Sequence, residues 1–194
     1  MIWSRRRLLT MGGALAGMSA AGCGWASIRP YGTCRAGAAG SGEVAGCKGI
    51  ALLNLHTDER LQIEYFRDGA YLPAALSAIE GVLRDFRTGE RHAIDPRLMD
   101  YLVTVAETLG VEPEFSVISG YRSPETNARL RERSAGVARR SLHMEGRAID
   151  VRMRGVDCAS LAARATDLQH GGVGYYRASD FVHLDTGAFR TWRG

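Results

Sequence analysis

What most limits the fold of this chain is a change of texture near residue 48. Residues 1–48 are rich in glycine and alanine, hold three of the four cysteines and show almost no periodic pattern. From Gly49 onward, apolar runs, turns and charges alternate as they do in a packed domain. That leaves about 145 residues, enough to bury one hydrophobic core without covalent staples. The chain is therefore read as a signal segment over 1–26, a flexible Gly/Ala/Ser linker over 27–48 and one domain over 49–194.

The formal charge of +4 belongs to the leading segment. Residues 1–48 carry six of the 25 basic and one of the 21 acidic side chains, so 19 and 20 remain for the domain. A near-neutral domain lacks the basic surface that nucleic acid binding requires. Ser4-Arg5-Arg6-Arg7 followed by the apolar run Leu8–Ala21 has the twin-arginine pattern of an export signal, too short and glycine-rich to span a bilayer comfortably. The expected location is the periplasm or cell envelope. Two processing routes fit: Ala20-Ala21-Gly22-Cys23 offers Cys23 as a lipid anchor, and Gly24-Trp25-Ala26 offers a small-residue cleavage site. In an oxidising compartment Cys34 and Cys47 can pair, and Cys158 reads as a small buried residue.

Strands are expected over Ile50–His56 and Leu61–Phe66, joined by the turn Thr57-Asp58-Glu59. Leu72, Leu76, Ile79, Leu83 and Phe86 recur at helical spacing and predict a helix from Tyr71 to Phe86. Asp95 caps a second helix that opens on Pro96 and closes on Gly110; Ser123-Pro124 opens a third, and Asp157 a fourth running through Leu168. Short strands follow at Phe115–Ile118, Arg147–Arg152, Val173–Tyr176 and Phe181–Asp185. The pattern predicts an α+β domain, a small antiparallel sheet with helices packed on one side.

The chemistry concentrates in Ser141-Leu142-His143-Met144-Glu145-Gly146-Arg147-Ala148-Ile149-Asp150 and in Phe181–Asp185. On extended strands Ala148 and Asp150 share a face, and so do Phe181, His183 and Asp185. Gly146 lets the chain turn so that His143 folds back to the Asp150 side. If the two strands pair antiparallel, two imidazoles and a carboxylate converge. That is the donor set of a catalytic zinc site, with three protein ligands and a fourth position for water. Spacing alone also fits polar residues beside a loop. There is no His-Glu-x-x-His helix, Gly-x-Ser-x-Gly elbow or phosphate-binding glycine loop.

The spacing Ser141-x-His143-x-x-Gly146-x-Ala148-x-Asp150, with a later His183 preceded three residues earlier by an acid, resembles the zinc D,D-carboxypeptidase and D,D-dipeptidase superfamily. That group includes VanX- and VanY-like enzymes and the Hedgehog fold. The likeness is closest to the YcbK-like branch of murein endopeptidases. It extends through His56-Thr57-x-Glu59, Leu83-Arg84-Asp85-x-Arg87-Thr88-Gly89, Ser119-Gly120-Tyr121-Arg122-Ser123-Pro124 and Gly171-Gly172-Val173-Gly174-Tyr175-Tyr176. The resemblance implies a Hedgehog/DD-peptidase-like fold and a Zn2+ ion on His143, Asp150 and His183. It implies Asp180 as general base and Arg122 as the cation that stabilises an oxyanion or holds a substrate carboxylate. The implied activity is cleavage of amide bonds in the stem peptides of peptidoglycan, with cross-links as the expected target. A D,D- or L,D-carboxypeptidase and a non-catalytic wall-binding module are the alternatives.

Overall fold

The computed structural model describes residues 46–134 and 136–194. The expected signal segment, Cys23, Cys34 and nearly all of the expected linker lie outside the described residues. Cys47 is disulfide-bonded.

Eight strands form one sheet: β1 (Lys48–Asn54), β2 (Arg60–Arg67), β3 (Ala70–Tyr71), β4 (Glu114–Ser119), β5 (Ala148–Met153), β6 (Gly172–Tyr176), β7 (Phe181–Asp185) and β8 (Arg190–Arg193), in the order β3-β2-β1-β4-β5-β7-β6-β8. The helices are α1 (Pro73–Val82), α2 (Pro96–Leu109), α3 (Pro124–Arg133) and α4 (Cys158–Leu168). α1 packs on β1 and β2, α2 on β1 and α4, and α4 on β5, β6 and β7. Their common face of the sheet carries Ile50, Leu52, Val117, Ile149, Val151, Val182 and Leu184, all nearly or fully buried. Alternation along β5 and β7 sends Asp150 and His183 to the opposite face.

The helix boundaries follow the capping chemistry. The Asp95 carboxylate accepts from Arg97 N at 3.0 Å, and Gly110 closes α2 at φ 69°. Ser123 Oγ accepts from Thr126 N, and Asp157 Oδ1 from Ser160 N. α1 is shorter than its hydrophobic stripe predicts. Pro73 at the first turn keeps Leu72 extended, at φ −92° and ψ 108°, so the helix cannot include Tyr71. β1 ends at Asn54, two residues before the expected His56. The buried Asn54 side chain donates to Val82 O and accepts from the backbone N–H groups of His56 and Thr57, which turns the chain.

The α+β class holds, but the sheet is neither small nor wholly antiparallel. β1 pairs parallel with β4, and β6 parallel with β8. Between β1 and β4 the chain passes through α1 and α2, long enough to cross back and re-enter in the same direction. β8, which the sequence reading does not anticipate, reverses after β7 and lies along the far side of β6.

Candidate metal centre

β5 and β7 pair antiparallel with Asp150 directly opposite His183. His143 comes from a 3₁₀ turn over Leu142–Glu145 that ends at Gly146 with φ 65°. A side chain at 146 is excluded, since its Cβ would lie 2.0 Å from Ala93 O. Arg122 N donates to His143 O at 3.1 Å and Asp95 N to Gly146 O at 2.9 Å, fixing both ends of the turn.

The three side chains converge. His143 Nε2 lies 3.2 Å from Asp150 Oδ1 and 3.1 Å from His183 Nδ1, and His183 Nδ1 lies 2.8 Å from Asp150 Oδ1. Relative exposure is 2 % for His143, 6 % for Asp150 and 9 % for His183. The other ring nitrogens are engaged. His143 Nδ1 is 2.7 Å from Gly120 O, and a carbonyl can only accept, so Nδ1 carries the proton and Nε2 presents its lone pair inward. His183 Nε2 donates to Asp185 Oδ2 at 3.0 Å. Asp185 is fully buried and is itself held by the N–H groups of Gly172 and Gly187 and by the Arg190 guanidinium.

With those outer nitrogens donating, three electron pairs face one another, an arrangement that needs a cation or a proton between them. A tetrahedral zinc with bonds of about 2.0–2.2 Å sets its donors roughly 3.3 Å apart, close to the separations seen here. Two imidazoles and one carboxylate leave a fourth position open, which suits a catalytic rather than a structural ion. Burial pulls His143 below its ordinary range. Burial acts the same way on His183, but its hydrogen bonds to Asp150 and Asp185 outweigh that and raise it to about 9. Burial disfavours the Asp150 carboxylate, yet the two imidazoles hold it well below the usual range.

Arg122 faces the same point. Its Nη2 lies 3.5 Å from Asp150 Oδ2 and 3.3 Å from Ser119 Oγ, and its buried Nε has no partner among the described residues. The loop that carries it is clamped to the end of α1. Tyr121 N donates to Leu83 O at 2.7 Å, and Asp85 Oδ2 accepts from both N and Oγ of Ser123, each at 2.8 Å. The Leu83–Gly89 and Ser119–Pro124 motifs are thus two sides of one contact.

A cavity of about 390 Å³ opens over the ligand set, lined in addition by Arg122, Tyr176 and Trp192. Asp180, expected in the site, is not among the residues that line it. It occupies the β6–β7 turn at φ 51°, with its exposed carboxylate 3.3 Å from Arg152 Nε. His56 stacks on Phe86, His92 on Tyr121, and His170 lies against Tyr101, so the three other histidines stand outside the site. The sequence reading put Asp185 on the strand face of His183; the structure shows its carboxylate accepting from that ring's Nε2. It missed Asp85, whose contact with Ser123 spans 38 positions and leaves no periodic signal.

A family model described as Peptidoglycan L,D-endopeptidase MepK matches residues 43–192. The chain is 42% identical over 146 residues to the probable peptidoglycan L,D-endopeptidase MepK of Haemophilus influenzae, covering 75% of this chain and 78% of that protein. It is 41% identical over 143 residues to the peptidoglycan L,D-endopeptidase MepK of Escherichia coli K12, covering 74% and 79%. No solved structure gives a significant match.

Proposed function

The chain belongs to the MepK family of M15-type peptidases, and from that premise we propose that it is a zinc-dependent peptidoglycan endopeptidase that cuts amide bonds in cross-linked stem peptides. The observation that carries this reading is the meeting of His143 Nε2, His183 Nδ1 and Asp150 Oδ1 at one buried point beneath an open cavity. These three residues would hold the ion, with the Gly120 carbonyl and Asp185 orienting the two rings. A bound Zn2+ supplies a water whose pKa is lowered from 15.7 to about 7.

The chain's own residues do the rest. Arg122 presents a nearly buried cation to the cavity where negative charge develops on the scissile carbonyl oxygen, and burial strengthens that interaction. Asp150 keeps the guanidinium oriented. The Ser123–Asp85 clamp holds the backbone beneath it.

Export through the twin-arginine segment to the periplasm or cell envelope belongs to the same proposal, with Cys23 as a candidate lipid anchor. It is supported by the Arg5-Arg6-Arg7 run and the apolar stretch after it, and it would bring the enzyme to its substrate.

The test is digestion of purified cell wall by the zinc-loaded chain, with fragments identified by mass. Release of two stem peptides from one cross-linked dimer supports the endopeptidase. Release of single terminal amino acids would assign a carboxypeptidase instead. Wall binding without any cleavage would assign a non-catalytic module.

A further inference from the structure

Tyr176 has no role in the chemistry described so far, yet it is among the most firmly placed polar groups of the cavity. On β6, Gly174 pairs with His183 and Tyr176 with Phe181, so Tyr176 shares the face of the ligand set, two residues along the strand. Its ring stacks on Phe181 with centroids 4.5 Å apart and planes 14° apart. Its hydroxyl accepts from Trp192 Nε1 at 3.0 Å.

Trp192 is fixed in turn. Its indole lies directly over Gly174, where any Cβ would come within 2.5 Å of it, and its ring centroid is 5.1 Å from that of His183. The glycine opposite His183 therefore makes room for an indole whose only donor points at Tyr176. An indole N–H can only donate, so the Tyr176 oxygen is used as an acceptor and its own proton is left without an acceptor among the described residues. Tyr176 and Arg122 line the same cavity.

We propose that Tyr176 is a catalytic residue: its hydroxyl donates a hydrogen bond to the scissile carbonyl oxygen as that oxygen becomes an oxyanion, sharing the charge with Arg122. The hydroxyl keeps its proton throughout. The Trp192 bond strengthens the donor by polarising it, and aims it before substrate arrives. The inference rests on the endopeptidase reading and adds to it a neutral donor set in place by the last strand of the chain.

The test compares the zinc-loaded full chain with Tyr176→Phe and Trp192→Phe on soluble cross-linked muropeptides, with kcat and KM separated. Tyr176→Phe keeps the ring and its stack on Phe181. The expected result is a fall in kcat of about 100-fold, the loss typical for one oxyanion donor, with KM within about twofold and metal content and melting temperature unchanged. Trp192→Phe should give a smaller fall in kcat, with metal content also unchanged. A Tyr176→Phe enzyme with wild-type kcat overturns the proposal, because the ring alone then suffices. A loss of kcat that tracks loss of metal overturns it as well. If the wild-type chain cuts none of the muropeptides while its zinc is bound, the endopeptidase reading falls and this inference with it.

Discussion

A neutral imidazole has one lone pair and one N–H, and the choice between them decides whether a histidine can hold a cation. At His143 the choice is made by a backbone carbonyl, at His183 by a buried carboxylate. Gly120 is 23 positions from His143 and beyond any spacing argument, whereas Asp185 is two positions from His183 on the same strand face, its charge held by Arg190 and two amides. Asp180 shows the reverse. The family resemblance implied a role for it, but its carboxylate stands in the β6–β7 turn 3.3 Å from Arg152 Nε and outside the cavity lining. Asp180→Ala should therefore retain zinc content and cut wall peptides at a rate within about twofold of wild type, measured as initial rates of fragment release. A loss of a hundredfold or more would return Asp180 to the reaction.

Among the elements, the connection from α1 to the Arg122 loop matters most, since it links a core helix to the site. Asp85 is 1 % exposed and accepts from Ser123 N, Ser123 Oγ and Arg87 N. Burial opposes its charge, but the nearby Thr126 hydroxyl together with the Ser123 and Arg87 donors outweighs burial and holds its pKa below the ordinary value. A depressed carboxylate contributes stability above its unfolded pKa, about 3.9, and loses that contribution as pH falls through its lower folded value. Asp85→Asn should cost about 1–3 kcal/mol at neutral pH, the penalty for donors left poorly matched. The deficit should shrink below about pH 4. Denaturant melts of both proteins across pH 3–7 would check it; a deficit independent of pH would mean that the charge is irrelevant. The caps of α2, α3 and α4 were legible beforehand because Asp, Ser, Pro and Gly act on their immediate neighbours. The length of α1 was misread because its apolar stripe runs on through Leu83 and Phe86, where tertiary contacts, not periodicity, end the helix.

At the scale of the whole molecule, the sheet separates two tasks. One face is a continuous apolar core beneath α1, α2 and α4; the other carries the ionisable groups of the site. The ligands come from one loop and two adjacent strands, so an ion there bridges segments up to 40 positions apart. A ligand that binds only the folded state stabilises it by RT ln(1 + [L]/Kd), about 4 kcal/mol at a thousandfold excess over Kd. Chelation should lower the melting temperature of the full chain by several degrees and abolish wall digestion, and added zinc should restore both. An unchanged melting temperature and undiminished digestion after verified metal removal would refute a metal-dependent enzyme.

The family resemblance pointed to His143, Asp150 and His183 as ligands, whereas the sequence by itself determined the α+β alternation and three of the four helices nearly to the residue. Those follow from local forces: capping, backbone stiffness at proline and glycine, and the two-residue period of a strand. Only the tertiary structure decided that β5 and β7 place Asp150 opposite His183, that two strand pairs run parallel, that the Asp180 carboxylate meets Arg152, and that Asp85 and Tyr176 face what they do. Those depend on contacts between segments far apart in the chain, whose energies arise only once the sheet has closed around its core.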